Sequence, residues 1–147
     1  MDETAARRAF DSAILHQKPA FEQFFLAGLL GFAISYGENS CIVEFDVQDF
    51  MFNPQGSLHG GIIALALDVS MGHLIHHVTG HGGATLEMKT QYLLRITEGR
   101  MRCEAHYLRQ GRTVSFLETR MFDGEGKLAA FATATFNQRP ATAEAKA

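Results

Sequence analysis

A single carboxylate, Asp68, stands in the middle of the apolar run Ile62–Ile75. An ionised carboxylate among apolar side chains needs a partner, a shifted pKa or a chemical task. The run is too long for a typical strand and rich in Ala and Leu, which predicts a helix. Its apolar residues lie all round, which predicts a buried one. Upstream come the turn residues Asn53-Pro54-Gln55-Gly56, then Ser57-Leu58-His59 and two glycines, Gly60-Gly61. A helix start leaves backbone N–H groups without partners, and with the positive end of the dipole they suit an oxyanion or a polarised carbonyl. One segment thus offers an electrophile-activating end and a buried carboxylate.

These two features cannot meet within one chain. At ~1.5 Å rise per residue, Gly60 and Asp68 lie roughly 12 Å apart along the axis. Acyl transfer wants donors and base within about 3 Å of the reacting atoms. If both act on one carbonyl, the donors come from one subunit and the carboxylate from another, which predicts a homodimer at least.

Other residues with chemical capacity carry plainer readings. His59 can serve as a general base, but Asp68 can do that work, so a role in shaping the loop is expected. His73, His76 and His77 have spacing able to bind a metal, with His81 just beyond. No carboxylate or Cys is local to complete a set, so a histidine cluster favoured by the helix dipole is expected, and no metal. Gly60, Gly61, Ala64 and Gly72 leave part of the helix with little bulk, chiefly for close packing and partly as room beside Asp68. Arg95, Arg100, Arg102, Arg109 and Arg112 fall on strands or hairpin ends, where solvation is the default. Phe50, Met51 and Phe52 either line a pocket or pack.

The 147 residues fit one domain with a real core. A net charge of −3 argues against a nucleic-acid partner. Cys41 and Cys103 lie in strand-like segments without CxxC spacing and read as buried free thiols, which suits a reducing compartment. The acidic start Met1-Asp2-Glu3-Thr4 is not a secretory signal, and Phe24–Ile34 is too short to span a bilayer. A soluble, cytoplasmic protein with no membrane partner is expected.

The elements follow in order. Glu3–His16 predicts an outer scaffold helix ended by Pro19, within an N-terminal unit 1–20. In the main domain, 21–138, Phe24–Tyr36 and the alternating Ser40–Phe50 predict a hairpin about Gly37-Glu38-Asn39. The long helix follows, ended at Gly80-His81-Gly82-Gly83. Ala84–Ile96, Arg100–Arg109, Arg112–Phe122 and Lys127–Asn137 predict four meandering strands with short hairpin connections. A disordered tail is expected over 139–147. The class is α+β, an antiparallel sheet wrapped around one long buried helix.

With that order in place, the chain resembles the hotdog-fold acyl-CoA thioesterases of the phenylacetate-degradation (PaaI-like) type. The matching residues are Asn53, Gly56, Leu58-His59-Gly60-Gly61 and Asp68, and then the hairpin Tyr107-Leu108-Arg109-Gln110-Gly111-Arg112-Thr113. The resemblance covers roughly Leu30 to Phe136. It implies that Asn53 and Gly60 polarise a thioester carbonyl and that Asp68 activates water or attacks directly. It also implies that Thr85, where relatives often have Ser, holds the water. Arg109 and Arg112, flanking Gly111, would bind the phosphates of coenzyme A. It implies dimers or dimers of dimers, hence a homotetramer, and no cofactor. A non-catalytic acyl-CoA-binding module and a hydratase or dehydratase on the same fold stay open as alternatives.

Overall fold

Alternation along β2 (Ser40–Asp46) buries Cys41, Val43 and Phe45 on one face. The same period in β4 (Arg100–Arg109) buries Met101, Cys103 and Ala105. The two strands pair antiparallel with Val43 opposite Cys103, so both apolar faces point the same way. With β1 (Ala33–Tyr36), β3 (Ala84–Tyr92), β5 (Val114–Phe122) and β6 (Leu128–Asn137), they form one six-stranded sheet, β1-β2-β4-β5-β6-β3. The computed structural model describes residues 1–138, and the tail expected over 139–147 lies outside the described residues.

The helix α3 (Gly60–Thr79) lies on the apolar face and touches all six strands. Ala66, Leu67, Met71, Leu74 and Ile75 are fully buried against the sheet. On β6, Ala130, Ala132 and Ala134 face the helix and let it approach closely. Where the two layers meet, Ser70 Oγ donates to Leu67 O and lies 2.9 Å from Thr119 Oγ1 of β5. Gly80, at φ 76°, ends the helix in the left-handed conformation, and its N–H bonds to His76 O. Helix α3 thus extends past the apolar run Ile62–Ile75 at both ends, starting at the first of the paired glycines and stopping at Gly80, the first of the expected C-cap positions.

The first helix, α1 (Glu3–His16), has the predicted bounds and is capped by Asp2, whose Oδ1 accepts from Ala5 N. Two expectations fail. Phe24–Tyr36 is not one strand: it begins with a short helix, α2 (Phe25–Leu29), and only Ala33–Tyr36 pairs with β2. At Gly28, α2 meets α1: a Cβ there would stand 3.4 Å from Ala13. The four late strands are not a single meander either. β4, β5 and β6 pair in order, but β3 pairs with β6 at the far edge. Thr97-Glu98-Gly99 is therefore part of a crossover, not a hairpin. Both cysteines are free and buried, and burial pushes the Cys41 thiol up to about 12.

Candidate active site

His59 is the N-cap of α3, and its ring accepts the Gly61 N–H at Nδ1, 2.8 Å away. An acceptor Nδ1 places the proton of the neutral ring on Nε2. The Ile62 and Ile63 N–H groups both bond to His59 O. Of the several donors expected at this end, Gly60 N–H alone has no hydrogen-bond partner among the described residues. The reading of His59 as a loop-shaping residue fits this geometry. His59→Ala is expected to lower stability by about 1 kcal/mol through loss of the cap, with His59→Asn closer to wild type. Thermal melts check the first effect. Thiol-release assays on both variants check that the losses in turnover stay small, as they would not for an essential base.

Asn53 is tied into its own turn. Its Oδ1 accepts from Gln55 N at 2.9 Å, and its Nδ2 donates to Ser57 Oγ at 3.1 Å. The amide carries a second Nδ2–H, which is what a carbonyl role would use. Arg95 Nη2 donates to Gln55 O at 2.7 Å and braces the turn from the far side of a cleft. That cleft, about 530 Å³, is lined by Asn53, Ser57, Gly60, Ile63, Tyr92 and Arg95, among others. Tyr92 O–H donates to Gly60 O, so β3 helps hold the helix start. Ser57, Tyr92 and Arg95 were not singled out for this place by the sequence. Ser57 belongs to the same loop as Asn53, whereas Tyr92 and Arg95 are remote in the chain and reach the cleft from β3 and its exit.

Asp68 is half-buried, not sunk in the core as its apolar neighbours suggest. It faces a second cavity, about 420 Å³, and Thr85 Oγ1 donates to its Oδ1 at 2.7 Å. The sequence-predicted pair of Asp68 and Thr85 is thus brought together. Thr85 fixes one carboxylate oxygen and leaves Oδ2 for another donor. Most of the remaining wall is apolar, with Phe21 and Phe24 from the segment after α1, Val69 and Phe136. The two cavities share no lining residue, so the Gly60 end and the Asp68 side of one chain belong to different clefts.

His73 also borders the Asp68 cavity, and the histidine cluster is engaged with aromatic rings. Phe21 stacks on His76 with centroids 3.9 Å apart, and Tyr36 stacks on His77 at 4.4 Å. Tyr36 O–H donates to Glu22 Oε1, so the His73 Nδ1–H, 2.9 Å away, donates to the tyrosine oxygen. A carboxylate is therefore near the histidines after all, delivered by a segment fifty residues upstream. Burial pulls the His73 pKa down, and the Glu22 charge works against that. No group of three or more His, Cys, Asp or Glu able to hold a metal occurs among the described residues.

Arg109, Gly111 and Arg112 lie at the β4–β5 hairpin, with both guanidinium groups exposed. Gly111 is required there, because a Cβ would fall 2.0 Å from Val114 O. Its N–H donates to Ser115 Oγ, and its carbonyl accepts from Gln138 Nε2. The register places this tip on the Asp68 side. Ser115 pairs with Phe136, which pairs with Thr85. Phe50 and Met51 pack into or against the core, and neither they nor Phe52 line either cavity.

Residues 55–130 match the thioesterase superfamily model. The chain belongs to the thioesterase superfamily. It is 32% identical over 98 residues to a candidate esterase of Saccharolobus solfataricus, spanning 66% of this chain and 70% of that protein. It is 30% identical over 89 residues to a candidate esterase of Caenorhabditis elegans, covering 59% of this chain and about half, 53%, of that longer protein. Among solved structures, a phenylacetic acid degradation-related protein from Ralstonia eutropha JMP134 superposes with a TM-score of 0.72 at 27% identity, covering 88% of this chain and 98% of that one. A thioesterase from Haemophilus influenzae shares the fold, with a TM-score of 0.69 at 20% identity over 93% of this chain and 89% of that one. The hotdog architecture and thioester hydrolysis as the class of chemistry follow from these matches.

Proposed function

We propose that this thioesterase-superfamily member hydrolyses acyl-coenzyme A, with aryl or short-to-medium acyl groups, in a site built by two copies of the chain. The observation that carries the reading is the separation of the two halves of the chemistry. Gly60 N–H and Asn53 open into one cleft, and Asp68 with Thr85 opens into another. Juxtaposing the first cleft of one copy with the second cleft of its partner puts donors and base on one carbonyl. The Gly60 N–H and the Asn53 amide take the thioester oxygen. Asp68, steadied by Thr85, accepts a proton from water as the water oxygen attacks the carbonyl carbon. Collapse of the tetrahedral intermediate breaks the C–S bond, and the proton goes to the departing thiolate. The products are the free acid and coenzyme A.

Arg109 and Arg112 are proposed to meet coenzyme A phosphates, since both are exposed on the hairpin at the Thr85 side of the sheet. The phenylacetate-degradation subtype is proposed on the motif together with the Ralstonia eutropha neighbour. A homotetramer, cytoplasmic location and the absence of nucleic-acid and membrane partners complete the proposal. The engagement of His59 Nδ1 in capping counts against a histidine-driven hydratase.

A panel of acyl-CoA thioesters, followed by release of free thiol and by calorimetric binding, tests the reading. Thiol release with at least one member is the expected result. Binding without thiol release would point to a sensor, and loss of enoyl absorbance without thiol release to a hydratase; either would overturn the proposal.

A further inference from the structure

Gly72 lies four residues beyond Asp68 on α3, so the two project to the same side of the helix. Both line the 420 Å³ cavity, opposite Phe21 and Phe24. The three glycines of this cavity's neighbourhood differ in what a side chain would meet. A Cβ on Gly82 would stand 2.6 Å from Phe21 Cζ, and one on Gly83 would stand 3.1 Å from Ile75 Cδ1. Those two positions are small because a ring, methyl groups and the Asn137 carbonyl already fill the space. A Cβ on Gly72 meets nothing within 4 Å. Packing within the chain therefore does not ask for glycine there, and glycine in mid-helix weakens a helix relative to alanine. What the missing side chain leaves is cavity.

We infer that Gly72 determines specificity: its bare backbone sets how bulky an acyl group can lie beside Asp68. This rests on reading that cavity as the acyl side of the proposed site. The volume is near the small end of ligand pockets, which run from about 300 to 1,000 Å³. Phe21, Phe24, Phe136 and Val69 line it. The nearest polar ring, His73, has Nδ1 turned to Tyr36 and not offered to a ligand. Such a space suits a compact apolar acyl group of about ring size, packed against Gly72 on one side and the phenylalanines on the other.

The test is a graded series, Gly72→Ala and Gly72→Leu, compared with wild type on acetyl-, octanoyl- and phenylacetyl-CoA by thiol release. Circular dichroism melts and size-exclusion chromatography accompany the kinetics. The wild type is expected to prefer phenylacetyl-CoA to acetyl-CoA in kcat/KM. That preference should fall roughly tenfold in Gly72→Ala and a hundredfold or more in Gly72→Leu, with melting temperature and oligomeric state retained. An unchanged preference in an active series overturns the inference alone. So does a wild type that favours acetyl-CoA, or a Gly72→Leu chain that unfolds or changes oligomeric state, since the space would then be needed for packing. A wild type that releases thiol from none of the three removes the underlying reading, and the inference with it.

Discussion

Asp68→Asn is expected to lower kcat for acyl-CoA hydrolysis by about 10²–10⁴-fold, roughly 3–5 kcal/mol in the barrier. The substitution keeps the shape of the side chain. The amide oxygen still accepts from Thr85, the one side-chain hydrogen bond of Asp68 among the described residues. What is lost is the basicity of the second carboxylate oxygen. Stability should not fall, because Asp68 forms no ion pair among the described residues and replacing a half-buried charge by a neutral amide removes a desolvation cost. Coenzyme A ester binding should persist. Thiol release, a thermal melt and calorimetric binding of intact acyl-CoA to the variant separate the outcomes. Turnover near wild type would exclude Asp68 as base or nucleophile. A large drop in melting temperature would mean that the carboxylate is structural.

Much of the architecture is legible where local chemistry and tertiary structure agree. The bounds of α1 follow from its cap and from Pro19, and those of β4 from strict alternation between two turn segments. Asp68 stands out because nothing else charged occurs within the apolar part of α3, and the capping glycine Gly80 behaves as its position suggests. Four things are not legible, for related reasons. The pairing of β3 with β6 depends on the long helix crossing the sheet, and strand patterns carry no label for their partner. Helix α2 is one turn long and packs on α1 through Gly28 and Ala13, a tertiary contact that the local pattern does not announce. The wall of the Asp68 cavity depends on Phe21 and Phe24, about forty-five residues upstream, where they read as ordinary core. Half-burial of Asp68 belongs here too. Periodicity shows that α3 is apolar all round, but only the edge position of β3, exposed along most of its length, reveals that one side of the helix stays open.

The open side bears on the second large effect, which concerns where the site is assembled. Gly60→Pro removes one N–H and little else. Gly60 is the first residue of α3, where proline is well tolerated because the missing donor has no intrahelical acceptor. The preceding residue, His59, already has the extended backbone that proline requires, φ −64° and ψ 132°. A Cβ at Gly60 would contact Tyr92 Cε1 at 3.4 Å, an ordinary packing distance. The fold should therefore survive with stability within about 1 kcal/mol of wild type. Loss of an oxyanion donor should cost about 10²–10³-fold in kcat. Alone, this variant and Asp68→Asn would both be nearly inactive. Mixed in equal amounts, unfolded and refolded together, they should recover activity. In a two-fold dimer with random exchange, half the dimers are mixed, and each mixed dimer carries one intact and one doubly defective site, giving about a quarter of wild-type activity. If donor and carboxylate instead served the same site within one chain, every site in the mixture would carry one defect and no recovery would occur. The roughly 12 Å between Gly60 and Asp68 along α3 favours the first outcome, because a rigid helix cannot fold its start back onto its own third turn.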